Sequence, residues 1–381
     1  MAEPNGPLDG VKVMEIGGIG PGPMAAMVLA DLGADVLRID KPKDGLTLSG
    51  PEHNLLHRGR RSAVIDLRQP GGADVIRRLA RSADVVTEGY RPGVAERLGI
   101  GPEDLIAVNP RLVYGRMTGW GQDGPIAHTA GHDIDYIAVA GALHAIGRAG
   151  GPPQVPLNLL GDFAAGSMFL VTGVLAALLE ARVSGRGQVV DAAIVDGAAV
   201  LSTMVYGLMA AGSWRDERGV NLLDTGAPFY DVYETADGRH MAVGALEPQF
   251  YAEFVRLLDA GADLPAQHDV AAWPHLRSRF AERFRTKTMA EWSEVFDGSD
   301  ACVAPVVSLA EAPTHPQLAA RRTFVTANGI VQPAPAPRFS RTPATLGAPP
   351  SAPGADTRAA LADWGIDDVD ALLDAKVVIQ R

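Results

Sequence analysis

The chain has 381 residues, more than one ordinary domain holds, and 47 % hydrophobic against 21 % charged residues describes a globular protein with ample core material. A net charge of −11 argues against a nucleic-acid partner, which calls for a basic stripe. The one cysteine, Cys302, forms no intrachain disulfide and reads as core filler in a reducing compartment. Met1-Ala2-Glu3-Pro4 opens no signal pattern, and no apolar run is expected to approach the roughly 18 residues of a membrane span, so a cytoplasmic protein is expected.

In chain order, residues 11–16 read as a strand, 17–22 as a tight glycine-rich loop, 23–32 as a helix and 34–39 as a second strand, a βαβ unit. Residues 63–67 (strand), 73–81 (helix), 84–87 and 111–117 (strands) continue the alternation, which predicts a Rossmann-like parallel sheet. Two apolar stretches, 163–180 and 195–211, read as buried helices. Residues 229–234 and 240–245 flank Ala236-Asp237-Gly238 and predict a β-hairpin, followed by helical patterns at 249–258, 274–284 and 289–296. Residues 333–354 are rich in Pro, Ala and Ser and predict an extended surface segment, with a helical tail at 356–373. The expected division is a large Rossmann-like domain at 1–200, a linker helix region at 201–224, a small α+β domain at 225–325 and a return segment at 326–381 packing on the large domain. No internal repeat is visible.

Gly18-Ile19-Gly20-Pro21-Gly22, with Asp40 closing the next strand, invites a dinucleotide-binding reading. The third glycine comes too early, and Pro21 and Pro23 each remove a backbone N–H that a pyrophosphate needs. A tight turn with Pro23 at the first helical position fits better. Basic residues gather at strand ends instead: Arg38, Lys41, Arg58, Arg60, Arg61, Arg68, Arg91 and Arg97. Ligands of open α/β sheets sit at the carboxyl ends of strands, so this set points to a phosphorylated ligand, with Tyr90 placed to stack on a purine. Met117, Met168, Met204 and Met209 suit an adaptable apolar surface, or a core.

His132 and Asp162 are a histidine and a carboxylate that, set on opposite sides of one carbon, would move a proton in both directions. Each also has an ordinary structural reading, His132 as a loop or core histidine and Asp162 as an N-cap. His132, Asp133 and Asp135 have no recognised metal-ligand spacing, and no Gly-x-Ser-x-Gly elbow is present.

Seven segments in order carry a resemblance: Gly33-Ala34-Asp35-Val36 leading to Arg38-Ile39-Asp40-Lys41-Pro42, Glu88-Gly89-Tyr90-Arg91-Pro92-Gly93, Met117-Thr118-Gly119-Trp120-Gly121, Gly131-His132-Asp133-Ile134-Asp135-Tyr136, Leu160-Gly161-Asp162, Gly187-Gln188-Val189-Val190-Asp191, and Glu247-Pro248-Gln249-Phe250-Tyr251. In these the chain resembles the alpha-methylacyl-CoA racemases of the family III CoA-transferase superfamily. The resemblance implies a Rossmann-like large domain, a smaller α+β domain, and an interlocked homodimer whose active site joins the large domain of one subunit to the small domain of its partner. It implies that Arg38, Lys41, Ile65, Asp66, Leu67, Arg68, Gly89, Tyr90, Arg91, Arg97, Gly131, Asp133, Ile134, Asp135 and Tyr136 bind coenzyme A.

It further implies that His132 serves one face and Asp162 the other in a 1,1-proton transfer on 2-methylacyl-CoA thioesters. Glu247 of the partner would orient the imidazole; taken alone, it reads as a helix N-terminal acid before Pro248. Coenzyme A enters as part of the substrate, and no separate cofactor is expected. Asp162, opening the helix that follows, is expected to bring its neighbouring amides near the thioester oxygen. Two rivals remain: a CoA-transferase in which Asp162 is the nucleophile, and a non-catalytic acyl-CoA binder. Transferases of this fold typically lack the histidine and the glutamate.

Overall fold

The computed structural model describes residues 5–43 and 49–381, so the Met1-Ala2-Glu3-Pro4 reading falls outside it. In chain order its elements are β1 (Lys12–Ile16), α1 (Pro21–Asp31), β2 (Asp35–Asp40), β3 (Arg60–Ile65), α2 (Gly72–Ala80), β4 (Val85–Glu88), α3 (Val94–Arg97), α4 (Pro102–Val108), β5 (Val113–Thr118), α5 (Asp133–Val139) and α6 (Ala142–Ala145). A π-helical segment, Leu159–Ser167, then runs into α7 (Met168–Ser184), followed by β6 (Val189–Ala193), α8 (Ile194–Leu201) and α9 (Thr203–Ala210). The chain divides into two compact units, 1–140 with 157–201 and 317–381, and 141–156 with 202–316.

In the first unit the parallel strands lie in the order β3-β2-β1-β4-β5-β6, with Val378–Ile379 added antiparallel beside β3. This is the doubly wound order, and its switch point lies between β1 and β4. One face of the sheet presents Met14, Ile16, Leu37, Ile65, Val86 and Tyr114 to a continuous apolar core. The other carries a buried polar row in register, Ser62–Arg38–Glu15–Thr87. Along it Glu15 pairs with Arg60, Arg38 Nε lies 2.8 Å from Asp40 Oδ2, and Ser62 Oγ donates to the same oxygen at 2.6 Å. Burial, with Arg38 and Arg60 adding to it, pushes the His57 imidazole down to about 3. This row explains why β3 starts at Arg60 rather than at residue 63: its charge is paired inside the sheet, where a composition reading expects a pre-strand surface residue.

Three other expectations change. The expectation about apolar runs is corrected by the continuous helix Leu159–Ser184, 26 residues containing an 18-residue stretch with a mean hydropathy of 1.8, which by length and composition could cross a membrane. It packs on α1, β5 and β6, and so large a share of small apolar residues is also what a helix on a sheet needs. The stretch 195–211 is two helices broken at Ser202. Cys302 is exposed, with φ 53°, and is not core filler.

The second unit is α+β. Strands β7 (Tyr230–Glu234), β8 (His240–Gly244) and β9 (Val303–Pro305) form an antiparallel sheet, the first two as the expected hairpin. Helices α10 (Pro248–Leu258), α11 (Trp273–Phe284) and α12 (Met289–Phe296) share a core with it that is rich in aromatics, among them Phe229, Phe254, Phe280, Phe284 and Trp292. Residues 141–156, expected in the large domain, belong here because polar contacts hold them. Arg148 and Arg277 both pair with buried Asp231, and Arg218 donates to the carbonyls of His144 at 2.6 Å and Gly151 at 2.9 Å. Residues 202–224 likewise belong to this unit rather than forming a separate linker.

Candidate active site

Asp162 lies in the first turns of the π-helical segment, where an i→i−5 bond runs from the Phe163 N–H to the Asn158 carbonyl at 3.3 Å. Such segments are frequent at functional sites because they turn one side chain out of the regular α-helical register. Ser167 Oγ braces the turn, 2.9 Å from the Asp162 carbonyl and 2.8 Å from that of Pro21. The carboxylate points at the loop after β1: a Cβ on Gly20 would come within 2.9 Å of Asp162 Oδ2. The glycine-rich loop thus leaves room for a carboxylate rather than for a pyrophosphate, and its helix starts at Pro21.

The expectation that Asp162 opens its helix and offers amides to a thioester is corrected. The helix starts at Leu159, and the Asp162 N–H is donated to Asp133 Oδ2 at 2.6 Å. Asn158, which sequence reasoning missed, donates to Asp162 Oδ2 at 3.3 Å; its only sequence signal is its place four residues ahead. Burial pushes the Asp162 carboxyl above its ordinary value and Asp133 adds to that, while Asn158 and a positive charge on His132 oppose it.

His132 is the exposed N-cap residue of α5, and its N–H is bonded by Asp135 Oδ2 at 2.9 Å in a capping-box arrangement. Tyr136 bonds through its hydroxyl to the Gly131 carbonyl and meets Trp120 edge-on, ring centroids 4.7 Å apart. A Cβ on Gly119 would strike the Tyr136 ring at 2.0 Å, and one on Gly131 at 2.6 Å, so both positions need glycine. The side chains of Asp133, Asp135 and Tyr136 therefore shape the loop, and His132 and Ile134 face outward from it.

At the neighbouring strand ends, Lys41 Nζ sits 5.2 Å above the Tyr90 ring, and Arg97 Nη1 lies against Gly93. Arg91 is exposed and close enough to Tyr136 for its charge to act on the phenol. The structure brings Lys41, Gly89 to Arg91, Arg97, the His132 loop and Asp162 to the carboxyl edge of one sheet. It does not present every expected ligand. Arg38 is almost wholly buried, held by Asp40 and the Ser351 carbonyl at 3.0 Å, and Ile65 is in the core. Asp66 Oδ1 accepts from the N–H and Nε of Arg68, both at 3.1 Å, beside the partly buried Leu67. Met117 is buried, whereas Met168, Met204 and Met209 are exposed.

Glu88, also missed, is buried at the end of β4 and accepts the Tyr90 N–H at 2.5 Å and Arg116 Nε at 3.2 Å. Burial pushes its carboxyl up to about 7 from 4.5, against the opposing effect of Arg116. The folded state then binds more protons than the unfolded one between those values, so this residue's contribution to stability falls as pH rises through that window, by up to about 3 kcal/mol. Glu88→Gln is expected to lose less stability than the parent between pH 5 and pH 8 in thermal unfolding; an equal loss would refute the assignment.

In the second unit Glu247 is the exposed N-cap residue of α10, with Pro248 following. Gln267 Nε2 steadies its approach by donating to the carbonyls of Ala245 at 3.1 Å and Leu246 at 2.9 Å. Cys302 stands near enough that the Glu247 charge, after burial, raises its thiol.

Residues 8–357 match the family described as CoA-transferase family III. The chain is 47 % identical over 339 residues to the alpha-methylacyl-CoA racemase of Mus musculus, covering 88 % of this chain and 87 % of that one. It is 30 % identical over 358 residues to the acetyl-CoA:oxalate CoA-transferase of Acetobacter aceti, covering 87 % and 89 %. A crystal structure of a CAIB/BAIF family protein from Brucella suis superposes with a TM-score of 0.81 at 26 % identity, covering 94 % of this chain and all of that one. Matched across nearly its whole length in sequence and in fold, the chain belongs to the CoA-transferase family III.

Proposed function

We propose that this protein is an alpha-methylacyl-CoA racemase, interconverting (2R)- and (2S)-2-methylacyl-CoA thioesters through an enolate. The observation that carries the reading is the coupling of His132 and Asp162 at one strand-end site, with Asp162 buried enough to keep its proton beyond the ordinary carboxylate range. Removing the hydrogen beside a thioester carbonyl needs a base on one face, and inversion needs an acid on the other. His132 and Asp162 take these roles, exchanging them with direction. The higher identity to a racemase than to a transferase supports the same reading.

Coenzyme A is bound as part of the substrate, its phosphates and adenine facing Lys41, Tyr90, Arg91 and Arg97. We propose a homodimer in which the partner copy supplies Glu247 to His132. Exposed Leu179 and Val183 on α7, Val200 and Leu201 on α8, and Met204 and Tyr206 on α9 are apolar surface of the kind a subunit interface covers. Both half-reactions are proton transfers, so the proposed chemistry calls for no redox or group-carrying cofactor.

The test is proton NMR in heavy water with a (2R)-2-methylacyl-CoA. Loss of the α-hydrogen signal with appearance of the S-epimer, and no added acid, supports the racemase. An unexchanged α-hydrogen together with CoA transfer to a supplied carboxylic acid would overturn it.

A further inference from the structure

Asp133 sits at the first position of α5, one peptide bond from His132, yet its side chain reaches back to the segment that carries Asp162. It is 6 % exposed. Its Oδ2 takes the Asp162 N–H at 2.6 Å, a short charge-assisted bond, and its Oδ1 is buried with no hydrogen-bond partner among the described residues. The contact depends on Gly161: a Cβ there would lie 2.5 Å from Asp133 Oδ2 and 2.7 Å from its Cγ, so any larger residue would push the carboxylate off the peptide.

Resting on the racemase reading, we propose that Asp133 is a positioning residue for Asp162. Its carboxylate pins the Gly161–Asp162 peptide and places a second negative charge beside the group that gives and takes the proton. One residue thereby registers both proton-transfer groups, His132 through the backbone and Asp162 through the side chain. Its role is in the chemical step rather than in holding coenzyme A.

Among the described residues, the charged and polar groups facing Asp162 are few. Asp133 and His132 come from α5 and its cap, Asn158 from its own segment, and Tyr136 on α5 feels the Asp162 charge in turn. The loop before α1 contributes Gly20, which has no charge. With Asp133 ionised, ionising Asp162 sets two carboxylates together in a partly buried place, and Asp162 holds its proton to higher pH.

Asp133→Asn keeps the shape and an acceptor oxygen for the Asp162 N–H but removes the charge; Asp133→Ala removes both. The midpoint of the Asp162 carboxyl, followed by 13C NMR of aspartate-labelled full-length protein and assigned against Asp162→Asn, is expected to move down in Asp133→Asn, because the neighbouring negative charge is gone. The limb of the kcat–pH profile is expected to move with it, at a KM within about twofold of the parent. Asp133→Ala is expected to lose kcat by about 10- to 100-fold with little change in KM, the cost of a misplaced reacting group. An unmoved midpoint in Asp133→Asn overturns the proposal, as does a raised KM at unchanged kcat. If Asp133→Ala fails to fold, the Asp133→Asn midpoint decides. If the parent exchanges no α-hydrogen, the racemase reading falls, while the midpoint still tests the coupling of the two carboxylates.

Discussion

His132→Ala and Asp162→Ala are each expected to slow epimerisation of a 2-methylacyl-CoA thioester by at least about 100-fold, the ordinary worth of a positioned acid or base. Initial rates from the pure R and pure S esters measure this, and a variant that keeps full activity would remove its residue from the mechanism. The pH dependence adds a signed test. Because burial and Asp133 raise the Asp162 carboxyl, the direction that uses Asp162 as acid should slow as pH climbs through that raised value. The direction that uses it as base should quicken over the same interval.

The proposed partner origin of Glu247 is testable with the same assay. If His132→Ala and Glu247→Ala chains are co-expressed, a mixed dimer that shares residues across the subunit boundary has one site with both residues intact, and activity returns. If Glu247 serves the His132 of its own chain, both sites stay broken and the mixture is as inactive as either parent variant.

Arg60→Met is expected to cost about 3 to 5 kcal/mol of stability, read as a lowered denaturant midpoint, because it strands the Glu15 carboxylate inside the sheet. Both partners are almost wholly buried. Burial pushes the Arg60 guanidinium below its ordinary value, and Glu15 is the main influence opposing that. Adding Glu15→Leu should recover most of the loss, since an apolar pair of similar volume asks for no desolvation of charge. A single variant that loses less than about 1 kcal/mol would show that water or a neighbouring group already satisfies Glu15. The pair lies on the face of the sheet that also carries Arg38 and Thr87, so the midpoint is to be read beside the activity, which the exchange of a purely structural pair should leave largely intact.

Much of the large unit is legible because period-two apolar runs alternate with helical ones. The strand and helix at each end of the first βαβ unit fall within two residues of their expected limits. The hairpin of the small unit is equally plain, since Ala236-Asp237-Gly238 sits between two strand patterns. The edge strand Val378–Ile379 is too short for any period, and β9 is three residues held by its pairing with β8. The break at Ser202 carries no Gly or Pro to announce it. Residues 141–156 look like a continuation of the large domain, and only the arginine contacts of Arg148 and Arg218 assign them to the smaller unit.

For the proposed site, His132, Asp162 and the basic residues at strand ends stand out by residue type, because proton transfer and phosphate recognition call for those chemistries, whereas the pairing of His132 with Asp162 and the part given to Glu247 come from the family resemblance. What Asp133, Asn158, Gly20 and Glu88 do is set by which group each one meets across the fold, and those partners are separated in sequence by up to 142 positions, as Gly20 is from Asp162. The sequence by itself determined the alternation that builds a doubly wound sheet and the inventory of titratable groups near its carboxyl edge. The tertiary structure decided which arginines are spent inside the sheet on Glu15 and Asp40 and which remain for a ligand. It alone also decided which carboxylate is buried beside another, since hydrogen-bond partners and desolvation are properties of a packed environment that no local pattern encodes.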